Sequence, residues 1–413
     1  MATSEINTVR FLDTAIGDIL CVINPSKDDW SARFFVIKEI QDVVRSVESL
    51  RGALVQPYGS FVSNLFSKEG DLDISIDLQH GSFISSPGKK QKQSLLKDLS
   101  TALRKKGQFL RVQCIPNARV PILKLDTVFN ISCDISVCNL SGEMKSIMLY
   151  WINEIDGRFR DLVKEWAKTH QINDSRNGSF NSYSLTLLVI FHLQTLEPAI
   201  LPPLKEIYPG NMSETLTGER NVAVKNVEDI CAVNIKRIKM DKSRWTNRSS
   251  LSHLFISFLA KLSEICCEAS TKGISPFAGQ SEDISSNTSW QPKTYAVFVE
   301  DPFEQPANTA RTVNSKQLEK ILEAIKSTQA VVLSANHHRD DNKATVTTSS
   351  FLSVSVAPNH NEKEAVPRRR RMMMPQNGSK NVKAAAAPSA NTGVAKTKRW
   401  LKVLFGPTNQ TRY

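Results

Sequence analysis

The chain has 413 residues, of which 40% are hydrophobic, and its formal net charge is +12. This length suits two or three domains and excludes a small scaffold held together by disulfides. Residues 336–413 carry a net charge of +10. The remainder is nearly neutral, so the overall basicity does not identify a folded site for a polyanion.

The seven cysteines form no CxxC pair, and the N-terminus has acidic residues where a signal peptide has basic ones. The most apolar stretch, Leu185–Leu193, is much shorter than the roughly 20 residues of a membrane span. We therefore expect reduced, buried thiols and no membrane segment. The expected location is the nucleus, the cytoplasm or both.

The predicted elements begin with a helix over Asp28–Leu50, where apolar residues recur every three or four positions. A mixed α+β region follows, with an amphipathic helix over Gln91–Lys105 and a helical turn or two that starts at Ser60. The predicted strands of this region lie within 52–60, Leu72–Leu78, 107–115 and 121–139.

From 141 to 335 the apolar periodicity is helical, apart from the loop-rich passage Pro198–Val224. The last predicted helix is Lys316–Leu333. Beyond Ala335 the composition shifts to polar residues, alanine and proline with a run of four arginines, which predicts disorder.

Aspartates occupy the polar face of two predicted strands. Asp71 and Asp73 alternate with apolar residues, and Asp134 does the same on a later strand. If the two strands are neighbours with matching faces, the three carboxylates converge. Such a cluster needs cations, and carboxylate oxygens suit Mg²⁺ or Mn²⁺. The alternative is an ordinary exposed acidic edge.

The turn Gly59-Ser60 precedes the first aspartates by about ten residues. A glycine there allows close backbone approach, and the amides that follow it at an expected helix start are suited to phosphates. The P-loop and GxGxxG patterns are both absent. Together with the aspartates, this turn indicates a site for nucleoside triphosphates.

The stretch YGSFVSNLFSKEGDLDISIDL, together with CDISV, resembles the DNA polymerase β nucleotidyltransferase superfamily. VFVEDPFEQPANTART, residues 297–312, is similar to the nucleotide-recognition segment of non-templated RNA poly(A)/poly(U) polymerases. The segment 134–204 resembles plant terminal uridylyltransferases that tail small RNAs lacking a 3′-methyl group. The resemblance covers roughly residues 25–335.

The resemblance implies an α+β polymerase-β-like nucleotidyltransferase domain followed by a mostly helical central domain. We expect N-terminal helices in 1–50 that pack on the central domain and a catalytic domain in 51–140. The central domain would span 141–335 and include the recognition segment, and a disordered basic tail would occupy 336–413.

The resemblance also implies roles for individual residues. Asp71, Asp73 and Asp134 would hold two Mg²⁺ or Mn²⁺ ions, and Asp134 would help deprotonate the RNA 3′-hydroxyl. Asp77 matches no catalytic position, and we expect it to be a solvated strand end. The expected nucleotide-binding residues are Gly59, Ser60, Ser146, Lys164, Lys168, Ser182, Tyr183, Asp301, Glu304, Asn308 and Arg311.

Within that set, the two lysines and Ser182 would contact phosphates, and Tyr183 would stack on the base. Asp301 and Glu304 would orient base recognition. Asn308 and Arg311 would brace the loop that carries them. Lys145 stands where some relatives have an asparagine that contacts the ribose. Ala307 stands where many uridylyltransferases have a histidine that helps to exclude adenine, so the preference for UTP rests on overall similarity.

No RRM, KH or zinc-knuckle signature is present. The best RNA-binding candidate in the core is the basic segment 236–248, which has an ordinary solvated loop as its alternative. Its candidate residues are Lys236, Arg237, Lys239, Lys242, Arg244, Trp245 and Arg248. The resemblance implies RNA 3′ ends and UTP as partners of a monomer, with small-RNA effector proteins and RNA granules as further expectations.

The sequence predicts a terminal uridylyltransferase that marks unmethylated small RNAs for decay. Three alternatives remain open at this stage. One is a terminal adenylyltransferase, and another is a superfamily enzyme with a different acceptor. The third is a catalytically weak RNA-binding scaffold, although all three aspartates are present.

Overall fold

The computed structural model describes residues 2–78, 83–158, 164–241, 246–290 and 295–337, which all belong to one compact unit. The α-helices are α1 Ala2–Ile23, α2 Lys27–Ser46, α3 Lys89–Arg104, α4 Leu140–Asn153, α5 Lys164–Thr169, α6 Ser182–Gln194, α7 Met212–Thr215, α8 Arg220–Met240, α9 Leu251–Glu268 and α10 Ser315–His337. The strands are β1 Leu54–Tyr58, β2 Leu72–Asp77, β3 Phe109–Ile115, β4 Ile122–Thr127, β5 Ser132–Val137, β6 Lys272–Ser275 and β7 Gln280–Asp283.

A five-stranded mixed sheet forms the first layer, with strand order β1-β2-β5-β4-β3. β2 and β5 run parallel, and the other neighbouring pairs are antiparallel. Leu72, Ile74 and Ile76 are fully buried on one face, where α2 and α3 pack against the sheet. This burial explains the alternation of β2, because apolar side chains at every second position all leave water together.

The second layer is helical, and its core is continuous. α6 is apolar almost all around and lies at the centre of this core, next to α9. Leu12 of α1 is buried in the same core. The capping box of α2, in which Ser26 and Asp29 bond each other's backbone amides, fixes where that helix begins. The predicted α+β class and the helical central region are confirmed.

A short hairpin interrupts the helical region, which the sequence pattern did not predict. β6 and β7 pair antiparallel, and Ile274 also exchanges backbone hydrogen bonds with the chain at 298–300. The recognition segment 297–312 is therefore attached to the edge of this hairpin. Four-residue strands such as KGIS and QSED have too little apolar alternation to be recognised from sequence.

The helical turn expected from Ser60 is present as a single turn, which does not continue into a helix. Residues 59–64 form turns in which Ser63 N–H donates to the Gly59 carbonyl and Leu65 N–H donates to the Ser60 carbonyl. Asn64 then adopts φ +58°. A left-handed residue of this kind ends a helical turn instead of continuing it.

Several predictions fall outside the described residues, including those for the basic tail beyond residue 337. The arginine run at 368–371 is among them. Over the ranges that the structure does describe, none of the helices has an apolar stretch long enough to cross a membrane.

Candidate active site

The parallel pairing of β2 with β5 brings two of the predicted aspartates together. Asp73 lies directly opposite Asp134 in the register, with Leu72 opposite Cys133 and Ile74 opposite Ile135. The apolar neighbours are buried on one face, so both carboxylates lie on the other. The condition set by the sequence, neighbouring strands with matching faces, is met.

Asp71 and Asp73 line a cavity of about 550 Å³. Gly59, the first residue of the turn that follows β1, lines the same cavity and has φ +70°. A Cβ atom at Gly59 would lie 2.0 Å from Asp73 Oδ2. The turn therefore needs glycine for two reasons, namely the left-handed backbone and the close approach of the carboxylate.

Ser146 of α4 holds this turn from the other side. The Gly59 N–H donates to Ser146 Oγ at 2.7 Å, and that hydroxyl donates in turn to the Gly142 carbonyl at 2.6 Å. Ser60 and Ser146 both line the cavity. A residue predicted to contact nucleotide thus also links the helical layer to the turn at the sheet.

Part of the cavity lining comes from the helical layer. It includes Lys168 of α5 together with Ser182 and Tyr183, the first two residues of α6. Lys168 Nζ donates to Ser67 Oγ at 3.3 Å. The backbone of Lys164 lies in the first turn of α5, but its side chain lies outside the described residues.

Lys145 of α4 also lines the cavity, and it contacts the recognition segment. Its Nζ lies 2.6 Å from Asp301 Oδ2 and 2.8 Å from Glu304 Oε2. Tyr183 Oη donates to Asp301 Oδ1 at 3.0 Å. Burial and then the charge of Asp301 raise the pKa of Tyr183 well above its ordinary value, so the phenol stays protonated and donates.

Asn308 braces the recognition segment from inside. Its Oδ1 accepts from the Val299 and Ala310 amides at 3.1 and 2.8 Å, and its Nδ2 donates to the Val297 carbonyl at 2.9 Å. Arg311 is exposed at the end of the segment. Desolvation and then the nearby Arg119 lower the pKa of Arg311.

Asp134 contacts a cation of the protein that sequence reasoning missed. Lys124 lies opposite Asp134 in the β4–β5 register, and its Nζ is 3.0 Å from Asp134 Oδ1. That oxygen is buried, and its ion pair with Lys124 does not have the geometry of a hydrogen bond. The signal was available, because Lys124 lies between two apolar residues and must therefore share the polar face.

The donor chemistry of the three carboxylates fits a hard divalent cation. All three offer only oxygen, and the buried Oδ1 of Asp134 already faces a cation, the Lys124 ammonium. Asp134 pairs with Lys124 in this structure. Within the described ranges, no group of three His, Cys, Asp or Glu side chains is close enough together to hold a metal ion. A bound ion would have to displace Lys124 from this oxygen.

Asp77 is not the solvated strand end that we expected. It is 7% exposed and pairs at 3.0 Å with Arg220 of α8, which also pairs at 2.8 Å with Glu143 of α4. Burial raises the pKa of Asp77, and Arg220 opposes that shift. Arg220 lies 143 residues away in the chain, so no local pattern could indicate this contact.

The basic segment 236–248 is only partly described. Lys236, Arg237 and Lys239 are exposed on α8, and Lys239 lies 3.4 Å from Glu154. Arg248 is exposed, whereas residues 242–245, with Lys242, Arg244 and Trp245, lie outside the described residues. Of its described residues, none lines the cavity.

Sheet, turn and cavity together define the polymerase-β-like nucleotidyltransferase fold, and comparison with known proteins agrees. Residues 12–154 match the family model "Poly(A) RNA polymerase, mitochondrial-like, central palm domain". The solved structure of the Cid1 poly(U) polymerase with MgGTP bound matches with a TM-score of 0.62 and 21% identity. That match covers 83% of this chain and 99% of the other.

Two curated relatives give the closer relationship. Protein HESO1 of Arabidopsis thaliana is 55% identical over 328 residues, which is 78% of this chain and 64% of the relative. Poly(A) RNA polymerase GLD2 of Homo sapiens is 33% identical over 218 residues, 52% of this chain and 42% of the relative. The chain spans less than two thirds of either relative. Over the matched residues the chain is similar to HESO1 and to poly(A) RNA polymerases, and the predicted resemblance is confirmed.

Proposed function

We propose that the protein is a terminal uridylyltransferase, which adds untemplated uridines from UTP to RNA 3′-hydroxyl ends. The observation that carries the proposal is the register of Asp73 opposite Asp134, with Asp71 and Gly59 lining the cavity that Asp73 also lines. A triphosphate seat beside converging carboxylates is the arrangement that nucleotidyl transfer needs. The family resemblance supplies the acceptor, an RNA end.

In the proposed reaction, the RNA 3′-oxygen attacks the α-phosphorus of the nucleotide in line. The bond from that phosphorus to the bridging oxygen breaks, and pyrophosphate leaves. Gly59 would present its turn to the phosphates, Lys168 would offset their charge, and Tyr183 would hold the base from α6. The protein contributes positioning and electrostatics more than covalent chemistry.

Asp71, Asp73 and Asp134 would hold Mg²⁺ or Mn²⁺. Bound ions of this kind activate an attacking hydroxyl and stabilise a leaving pyrophosphate. The proton of the 3′-hydroxyl would pass to Asp134, the carboxylate on the neighbouring strand. Until the metal binds, Lys124 would limit the repulsion between the converging carboxylates.

The choice of UTP and of small RNAs rests on the motifs that resemble the plant terminal uridylyltransferases. The similarity to a poly(U) polymerase structure supports the fold, and 55% identity to HESO1 is the strongest sequence relationship described above. On this proposal the protein acts as a monomer in the nucleus, the cytoplasm or RNA granules. Small-RNA effector proteins are its proposed partners.

The test uses the purified chain, a small RNA with a free 3′ end, and each NTP separately with Mg²⁺ or Mn²⁺. We expect uridine tails that disappear in the Asp71→Ala/Asp73→Ala variant. A matched RNA with a 2′-O-methyl group on its terminal ribose should be a poor acceptor. Equal tailing of the two RNAs would contradict the proposed preference for unmethylated 3′ ends. Failure to extend the RNA with any NTP would contradict the proposal that the protein is an enzyme.

A terminal adenylyltransferase is the second candidate. Ala307 favours it, because the histidine that helps many uridylyltransferases to exclude adenine is missing here. Similarity to the poly(A) RNA polymerase GLD2 supports it as well. Adenosine tails longer than uridine tails, in the same assay, would select this candidate over the first.

A further inference from the structure

Lys145 lies between the cavity and the acidic pair of the recognition segment. It lines the cavity with its side chain 16% exposed, whereas neither Asp301 nor Glu304 is among the described residues that line it. The side chains of these acids are 5% and 25% exposed. From the cavity, the group in front of them is therefore the Lys145 ammonium.

Contacts on several sides fix that ammonium. Two carboxylates accept from Nζ at 2.6 and 2.8 Å, and charge-assisted hydrogen bonds of this kind are about twice as strong as neutral ones. Ser141 Oγ donates to the far oxygen of Glu304. Burial alone would raise the pKa of Glu304, but the charge and hydrogen bond of Lys145, together with the Ser141 hydrogen bond and the charge of Arg119, lower that pKa. Glu304 is thus held as a carboxylate.

The ring of Tyr183 completes the arrangement. Lys145 Nζ lies over this ring, 5.4 Å from its centroid, and both side chains line the cavity. The hydroxyl of Tyr183 donates to Asp301, which holds the phenol in place beside Lys145. A base stacked on the cavity side of Tyr183 would therefore bring one edge to Nζ.

We propose that Lys145 is the residue that selects the base, and that the two acids act through it. This inference rests on the proposed function. An ammonium has three donors and no acceptor. After two bonds to carboxylates, it has one donor left for the base. O4 of uracil accepts such a bond, whereas adenine presents its exocyclic amino group, whose hydrogens are donors, at the corresponding position. Lys145 would thus do the work of the histidine replaced by Ala307.

The first test compares kcat/KM for UTP and for ATP in the wild type and in Lys145→Gln. The glutamine keeps most of the side-chain length, and its amide offers an acceptor as well as donors. We expect the ratio of UTP to ATP to fall at least about tenfold, which corresponds to 1.4 kcal/mol. Lys145→Arg should retain much of the ratio. Lys261→Gln, which removes a lysine that pairs on the surface with Glu264, is the control and should leave the ratio unchanged.

A lysine that only braces the acidic pair would give another result. Lys145→Gln would then lower kcat/KM for both nucleotides by the same factor, and the unchanged ratio would overturn the proposal. A wild type that adds no uridine would instead refute the proposed function. The two failures are therefore distinguishable.

A second test needs no variant and so does not depend on the folding of Lys145→Gln. The wild type is given 2-thio-UTP, 4-thio-UTP and, as the control, 5-methyl-UTP. Sulfur is a weaker acceptor than oxygen, so one thio analogue should lose about tenfold or more in kcat/KM relative to the control. If both thio analogues equal 5-methyl-UTP, the hydrogen bond from Lys145 is absent and the inference is wrong.

Discussion

Replacement of Gly59 by alanine tests how closely the turn and the aspartates fit. Two costs are expected. The first is the left-handed backbone at φ +70°, which costs a residue with a Cβ atom about 1–2 kcal/mol. The second is the contact with Asp73, because the new Cβ would lie 2.0 Å from Oδ2 and 2.8 Å from Cγ. Real Cβ contacts are longer than 3.0 Å, so the carboxylate must move.

The catalytic effect should exceed the effect on stability. Relief of the contact needs a displacement of about 1 Å, and a shift of that size at a reacting centre costs on the order of 100-fold in rate. The assay measures initial rates of RNA extension with UTP, alongside thermal unfolding. We expect Gly59→Ala to lose about 100-fold in rate and only a few degrees in Tm.

Gly52→Ala is the matched control. Gly52 has φ +81°, but a Cβ atom there meets nothing within 4 Å. It should therefore show a similar fall in Tm while its rate stays within about twofold of wild type. Equal rates for the two variants would refute the reasoning, because the backbone cost would then be the whole effect.

Two further predictions concern stability. Arg220→Met leaves two buried carboxylates, Asp77 and Glu143, without their cation, so urea unfolding should show a loss of about 3 kcal/mol. Loss of the exposed Arg45 should cost less than about 0.5 kcal/mol. Burial of neutral His192 lowers its pKa to about 4, so the unfolded chain binds more protons between pH 6.5 and 4. From about pH 7.5 to about pH 5.5, stability should fall by about 1 kcal/mol through this group, and His192→Phe should remove that part of the slope. A slope unchanged by the substitution would contradict the assignment.

The central part of the site follows from local sequence. The buried face of β2 is formed by Leu72, Ile74 and Ile76, so Asp71 and Asp73 must lie on the opposite, open face. The alternation in β5 places Asp134 on the same open face. Adjacency of β2 and β5 was a condition that the sequence could state but not prove. The structure meets it, since β2 and β5 pair directly in the five-stranded sheet against which α2 and α3 pack.

The other parts of the site could not be predicted, because they depend on contacts between residues that are distant in the sequence. The partner of Asp77 lies on α8, and the Lys145 contacts span more than 150 residues of chain. The alternation of β2 indicates an open polar face along the whole strand, but the fold covers its far end. The helical turn at Ser60 stops after one turn for a local reason, because Asn64 has a left-handed backbone.

The most direct measurement compares Asp134→Asn with wild type in the extension of a 3′-hydroxyl RNA with UTP. Asp126→Asn is the control, because Asp126 lies on the same polar face but bonds Ser132 and Arg111 instead. If the register of β2 and β5 builds the catalytic site, Asp134→Asn should lose on the order of 1,000-fold in rate or more, while the control stays near wild type. Near-wild-type extension by Asp134→Asn would contradict the account.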